Sequence, residues 1–343
     1  MPAYSNTPTL KAAVIGYGGA YNMGKAHLDL MQAAGMVPAA VVEIDPERLA
    51  VATQDFPGIE LYDSVDTFLS NSDANVVAVI TPHDTHADLG LRCLRAGKHV
   101  VMEKPMAITG AECDALIDAA KAKDLLVTTF HNRHWDGCIL RAKKVILDEK
   151  RIGSVYRIDL DVGIRGQIAD WWRSSNRISG GALYDWGVHL LEYSFQVVRG
   201  KPLEVSGYRH HGYWKTRWNE DTIDDEIGAM IRLDDGAVIQ LKVTTLDPQT
   251  GRNMVTFYGT EGSYGFDMDG YELLLRENGV ETAERGPNPP GEQTRFYPNI
   301  ADAIQGKDSL VITPEYAASF IRIIELCHRS ALEGRTLPFP AGT

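Results

Sequence analysis

The first 134 residues repeat one pattern, and it narrows the possible folds more than any other feature. Short apolar runs end in polar or glycine-rich clusters and give way to stretches with helical spacing. Residues 10–15, 38–42, 75–80, 99–102 and 125–130 read as buried strands, because a strand covered on both faces is apolar along its length. Helical patterns lie between them, through Ala26, Leu28, Leu30 and Met31, then from Asp45-Pro46, over 87–96 and over 109–123. Asp45 suits an N-cap and Pro46 the first helical position. Strands alternating with helices imply a parallel, doubly wound sheet, which binds ligands at the carboxyl ends of its strands. Those ends carry Gly16, Glu43, Thr81, Glu103 and His131. One register therefore gathers every polar cluster of this half onto one rim.

The first cluster is Gly16-Tyr17-Gly18-Gly19, with Gly24 ahead of the helix. Strand, glycine turn and helix form the setting of a dinucleotide-binding loop. The glycines let a pyrophosphate approach the backbone, and the helix N-terminus offers free N–H groups. The third glycine should follow Gly18 by about three residues. If Gly24 takes that part, the loop carries Ala20, Tyr21, Asn22 and Met23 as extra residues, and they join the glycines as candidate cofactor contacts. The same glycines would also serve an ordinary tight turn. Glu43 comes roughly twenty residues later, where an acid binds ribose hydroxyls. It repels a 2′-phosphate and no Arg follows immediately, which argues for NAD over NADP.

In the second half, a Gly180-Gly181 pair leads into Asp185, His189 and Glu192. Residues four apart share a helix face, so Asp185 and His189 can point into one cavity as a proton-handling pair. Taken alone, the pair also reads as a structural contact. Residues 137–150 are amphipathic and read as a connecting helix, and 155–162 alternate like a half-exposed strand. Strands follow at 203–212, 226–233, 237–245, 254–258, 263–267 and 271–276. Asp235-Gly236, Asp269-Gly270 and Asn278-Gly279 mark turns between or after them. This predicts an open, mostly antiparallel sheet, with 287–290 as a loop and 314–332 as a last amphipathic helix packing back on the first half. The fold class is α/β: a doubly wound nucleotide-binding domain over 1–134 and an α+β domain over 135–343. His210 and His211 are neighbours on a strand and point to opposite faces, so no metal site is expected. Trp171, Trp172, Tyr213, Trp214 and Trp218 suit either a sugar-stacking wall or a core. Arg173 could serve a substrate, a cofactor phosphate or Asp170.

The 343 residues suffice for about two domains. A net charge of −12 disfavours nucleic acid or an anionic membrane as partner. No apolar run approaches a membrane span, no secretory signal is visible at the start, and four scattered cysteines form no Cys-x-x-Cys. A cytoplasmic protein is the expectation.

Several clusters together resemble the glucose–fructose oxidoreductase / inositol dehydrogenase family (Gfo/Idh/MocA). They are the Gly16 loop with Gly24-x-x-His27, Thr81-Pro82 with His86, and Glu103-Lys104-Pro105. Trp172-Arg173 before the double glycine and Asp185-x-Gly187-x-His189 complete the set. The resemblance implies a Rossmann domain followed by an open sheet whose outer face often mediates oligomers, here a homodimer or homotetramer. It also implies NAD(P)-dependent oxidation of a sugar or cyclitol alcohol, with Lys104, Asp185 and His189 as the catalytic set. In that reading Thr81, Pro82, His83, His86, Glu103, Lys104, Asn132, Trp172 and Arg173 add cofactor contacts. Arg165, Trp172 and Arg173 join the catalytic set around the substrate. The chain departs from the family pattern in its lengthened phosphate loop and in His83, where many members have Asn. Two alternatives on the same fold are an enzyme that retains its cofactor through an internal redox cycle, such as glycoside cleavage or epimerisation, and a non-catalytic NAD-binding sensor.

Overall fold

The computed structural model describes residues 9–19, 21–163, 165–247, 253–277 and 279–340. The predicted loop residue Ala20, the turn residue Asn278 and the first eight residues lie outside them. Contacts divide the chain into two units. One runs through His131 and takes back Thr294–Ala318. The other holds Asn132–Gln293 and resumes at Ser319.

The first unit alternates β1 (Lys11–Ile15), α1 (Met23–Ala33), β2 (Val37–Val42), α2 (Pro46–Asp55), β3 (Glu60–Tyr62), α3 (Val65–Asn71), β4 (Val76–Val79), α4 (His86–Arg95), β5 (His99–Met102), α5 (Gly110–Ala122) and β6 (Val127–Thr129). The strands form one sheet in the order β3-β2-β1-β4-β5-β6, with every pairing parallel. The order reverses between β1 and β4, the switch point at which such sheets open a ligand crevice. Val14, Val77 and Val101 are wholly buried, and burial of each contributes roughly 1.5–3 kcal/mol. Strand β3 escapes sequence recognition because its three residues form a mostly exposed edge. The Asp45 carboxylate caps α2 through the Glu47 N–H at 2.9 Å. Thr109 and Glu112 close a reciprocal capping box at the start of α5.

In the second unit α6 (Gly137–Lys143) passes into a π-helical turn over Lys144–Asp148, so the expected helix over 137–150 is not one regular helix. Next come β7 (Val155–Gly163), α7 (Asn176–Ser179), a second π-turn over Leu183–Gly187, and α8 (Val188–Phe195). The remaining strands are β8 (Pro202–His210), β9 (Glu226–Leu233), β10 (Val238–Thr244), β11 (Val255–Gly259), β12 (Gly262–Phe266), β13 (Gly270–Glu277) and β14 (Val280–Pro287). Helices α9 (Phe296–Ile304) and α10 (Pro314–Glu333) and the short β15 (Leu337–Pro338) follow. The sheet order is β14-β13-β12-β11-β7-β10-β9-β8-β15, with β7–β10 parallel and the other pairs antiparallel.

One face of this sheet, with Ile158, Leu160, Ile231, Ile239, Leu241 and Phe257, is buried. The other face is mixed rather than apolar. It exposes Tyr156, Tyr208, Met230 and Leu274 among cross-strand ion pairs such as Lys242–Asp161 at 2.9 Å and Arg232–Glu204 at 3.0 Å. Strand β14 fills the stretch between the turn read at 278–279 and the loop read from 287, where no strand was expected; as an exposed edge, it carries no apolar alternation. Helix α10 is grouped with the first unit only through Ala318. From Ser319 onward it belongs to the second, where Ser330 Oγ accepts the Gly207 N–H at 2.8 Å.

Candidate active site

The chain leaves β1 through Gly16, whose φ is 101°. A Cβ there would lie 2.2 Å from the Ile80 carbonyl oxygen, so only glycine fits between β1 and the end of β4. Gly18 has open space beside it. Gly24, in the first turn of α1, would drive a Cβ to 2.7 Å from both the Gly16 oxygen and the Tyr17 ring. That is the close helix–strand approach a third cradle glycine provides. Asn22 precedes α1 in the left-handed region (φ 51°) and makes no side-chain cap, and Met23 starts the helix. A helix N-terminus at this place offers N–H groups that can donate to an anion. Tyr21 is exposed on the loop. At the end of β2, Glu43 accepts the Tyr17 N–H at 2.6 Å and the Asp45 N–H at 3.1 Å, which fixes its carboxylate at the cradle.

Farther along the rim, the Thr85 hydroxyl donates to the Pro82 carbonyl at 2.6 Å and accepts from Thr81 at 2.6 Å. His83 and His86 are buried with ring centroids 5.6 Å apart. His86 Nδ1 faces the Pro105 oxygen at 2.8 Å and Nε2 faces the Thr81 oxygen at 2.9 Å. Burial holds this imidazole below its ordinary pKa, against the pull of the two carbonyls. The Lys104–Pro105 peptide is cis. Burial pushes the Glu103 carboxyl up, but the His27 hydrogen bond, with the Lys104 charge and N–H, outweighs it and holds the group below the usual range.

In the second unit, Gly180 (φ 83°) caps α7, and Gly181 (φ 114°) follows; a Cβ on Gly180 would strike the Tyr184 ring at 2.7 Å. The chain then enters the π-turn that carries Asp185, while His189 lies in the first turn of α8. The wider π-turn keeps residues four apart on one side, and such turns recur at functional sites. The Arg173 guanidinium donates to the Asp185 carboxylate at 2.8 Å and lies 5.1 Å from the Trp172 ring centroid. Asp170, one of the partners expected for Arg173, meets Arg217 instead. His189 is 6% exposed and meets Trp186 edge to face at 6.0 Å. Asn132 opens the turn before α6, and Arg165 is exposed after β7. His211 lies 3.6 Å from Asp224, while His210 is exposed. Among the described residues no His, Cys, Asp or Glu cluster could hold a metal ion. None of their helices is long and apolar enough to cross a membrane.

Residues 10–131 match the family model for the NAD-binding Rossmann fold of the Gfo/Idh/MocA oxidoreductases, and 139–265 match that family's C-terminal domain. The chain belongs to the Gfo/Idh/MocA family. It is 27% identical to the scyllo-inositol 2-dehydrogenase (NADP(+)) of Bacillus subtilis over 96% of each chain. It is 29% identical to the levoglucosan dehydrogenase of Pseudarthrobacter phenanthrenivorans over 79% of this chain and 80% of that one. An NAD-binding protein from Listeria innocua superposes with a TM-score of 0.85 at 27% identity, covering 97% and 98% of the two chains. As a Gfo/Idh/MocA oxidoreductase, this chain binds NAD(P), and its cradle fits that cofactor: Gly16 and Gly24 hold space a Cβ would fill, and the Glu43 carboxylate is fixed at the end of β2 beside them.

Three residues of this Gfo/Idh/MocA chain gain parts that spacing did not reveal. Arg48 lays its guanidinium over Gly19, where a Cβ would come within 1.8 Å of Nη2. No Arg directly follows Glu43 in the sequence; this one reaches the loop from the first turn of α2. His27 and Tyr297 are linked by a hydrogen bond and stand behind Glu103. Tyr297 is 270 positions from His27, too distant for any local signal.

Proposed function

We propose that the protein oxidises a ring secondary alcohol of a sugar, glycoside or cyclitol, passing hydride to the nicotinamide and a proton to its own side chains. One observation carries this reading: the β5 end bearing Lys104 lies on the same strand-end rim as the glycine cradle and Glu43. The bound nicotinamide supplies the hydride acceptor. Lys104 places an ammonium to stabilise the alkoxide that develops as the hydroxyl loses its proton. His189 takes that proton, a step worth on the order of 10²–10⁴ in rate. Asp185, itself held by Arg173, orients the imidazole and a substrate hydroxyl. Trp172 and Arg165 complete the substrate contacts, and Asn132 belongs to the cofactor set. The names of two relatives, an inositol and a levoglucosan dehydrogenase, support the substrate class.

NAD is the proposed cofactor, because the Glu43 carboxylate repels a 2′-phosphate. Arg48 over Gly19 favours NADP acceptance as the second reading, and one relative carries NADP(+) in its name. Glu43→Gln should raise the NADP-to-NAD ratio of kcat/KM by about tenfold, the effect of one charge contact worth about 1.4 kcal/mol. An unchanged ratio removes Glu43 as the selector. We also propose that a second copy covers the mixed outer face of the large sheet, which light scattering at micromolar concentration tests. Inositols, aldoses, sugar phosphates and glycosides should be screened with each cofactor by reduced-nicotinamide absorbance. Reaction with at least one ring polyol is expected, and none reacting removes the substrate class.

A further inference from the structure

We propose that His27 is a positioning residue for Lys104, acting through Glu103, with Tyr297 fixing the imidazole. The inference rests on Lys104 serving the reaction as proposed above. His27 lies on α1, one position past the cradle turn closed by Gly24-x-x, and is 0% exposed. Its Nε2 stands 3.1 Å from Glu103 Oε1, and its Nδ1 is hydrogen-bonded to the Tyr297 hydroxyl on α9. Phe130 packs on the ring at 4.2 Å between centroids. With the Tyr297 O–H donating to Nδ1, the Nε2–H donates to Glu103, and both ring nitrogens are satisfied in one orientation. The other Glu103 oxygen, Oε2, accepts the Lys104 N–H at 2.9 Å. One carboxylate thus ties the helix of the nucleotide cradle to the backbone of Lys104. On the far side, His86 Nδ1 lies 2.8 Å from the Pro105 carbonyl. The lysine's backbone is gripped before and after.

Glu103 is largely buried, its side chain 14% exposed, and a carboxylate stripped of a partner there turns toward another donor or water. Losing His27 therefore loosens the Lys104 N–H bond. A displacement of about 1 Å at a reacting group costs on the order of 10²-fold in rate. A merely structural weld between α1 and β5 predicts something else: stability and cofactor affinity fall together, and kcat per folded molecule stays put.

The test uses the full chain as wild type, His27→Ala, His27→Gln, Tyr297→Phe and Lys104→Met. Reductive ¹³C-methylation gives Lys104 an NMR resonance, assigned by its absence in Lys104→Met, and this readout needs no substrate. Kinetics use scyllo-inositol or levoglucosan, whichever the wild type oxidises, and calorimetry gives the Kd for NAD. Expected are a shifted Lys104 resonance in His27→Ala and a kcat lower by about 10–100-fold, with KM and the Kd for NAD within about threefold. His27→Gln, whose amide N–H can still donate to Glu103, should recover most of the rate, and Tyr297→Phe should fall between. If His27→Ala does not fold, the Gln and Phe variants carry the comparison. A Lys104 resonance unmoved in every variant overturns the proposal, as does kcat falling only in step with NAD affinity. A moved resonance in a protein that oxidises no ring polyol upholds the link from His27 to Lys104 and refutes the reaction instead.

Discussion

Lys104 leaves the end of a wholly buried parallel strand, and its backbone is held by Glu103, His27 and His86. Asp185 and His189 straddle the junction of a π-turn with α8, behind two glycines of positive φ. The strand end is fixed by polar groups in the interior. The π-turn is fixed by backbone shape, with the Arg173–Asp185 pair among its side-chain ties. The contrast separates two ways of aiming the groups proposed to handle the proton: anchoring the peptide beside one, or bending the chain so that a charged neighbour can reach it. The two regions should therefore answer differently to substitution.

The largest effect tests whether both regions serve one reaction. Lys104→Met and His189→Ala should each lower kcat by about 10²–10⁴-fold while NAD still binds, as titration calorimetry would show. If either keeps near-wild-type turnover, that half of the comparison fails. Smaller, and specific to the π-turn, is the loss of its ion pair. Asp185 and Arg173 are partly exposed, so Arg173→Ala should cost about 10–100-fold in kcat/KM, the span of one charge-assisted hydrogen bond of roughly 1.5–3 kcal/mol. Arg173→Lys should recover part of it; full activity in Arg173→Ala would show that the backbone alone aims Asp185.

How much of this was legible beforehand follows the same divide. The parallel strands announced themselves because β1, β4 and β5 are buried on both faces after their first residue and are apolar from there on. Their carboxyl ends then located Gly16, Glu43, Thr81 and Glu103, and the family resemblance added Lys104 beside them. Strand β14 was invisible because an exposed edge needs no apolar pattern. The parallel pairing of β7 with β10 joins strands separated by α7, α8, β8 and β9, a distance no turn signal spans. Helix α9 carries Pro298 in its first turn, where proline is tolerated but reads as a break. The π-turn has no signature of its own, and the four-residue spacing of Asp185 and His189 is compatible with a shared side in α and π geometry alike. Tyr297 and Arg48 take their parts from tertiary contact alone.

The smallest effect compares the two units through one histidine each whose pKa is lowered by its surroundings. Burial pushes His99 down to about 4, where its Nδ1 accepts the Leu126 N–H at 2.9 Å. Burial and the Arg209 charge take His328, stacked on Tyr184, to about 4 as well. Unfolded histidine titrates near 6.5, so the unfolded chain takes up these protons first. The stabilisation is complete above about pH 6.5 and is lost as pH falls toward 4, by on the order of 2 kcal/mol per group at pH 5. Urea unfolding at pH 7.5 and 5 should show this loss, and His99→Gln and His328→Gln should each reduce it. An equal pH slope in wild type and both variants would assign the acid sensitivity elsewhere.

The central claim is hydride transfer from a ring carbinol carbon to the nicotinamide, and isotope tracing tests it most directly. The wild-type protein would be given NAD and a ring polyol deuterated at carbon, with the reduced cofactor analysed by proton NMR. Deuterium on one face of the nicotinamide C4, with no such product from Lys104→Met or His189→Ala, is the predicted result. Reduced cofactor without deuterium, or equal labelling by both variants, would contradict the account.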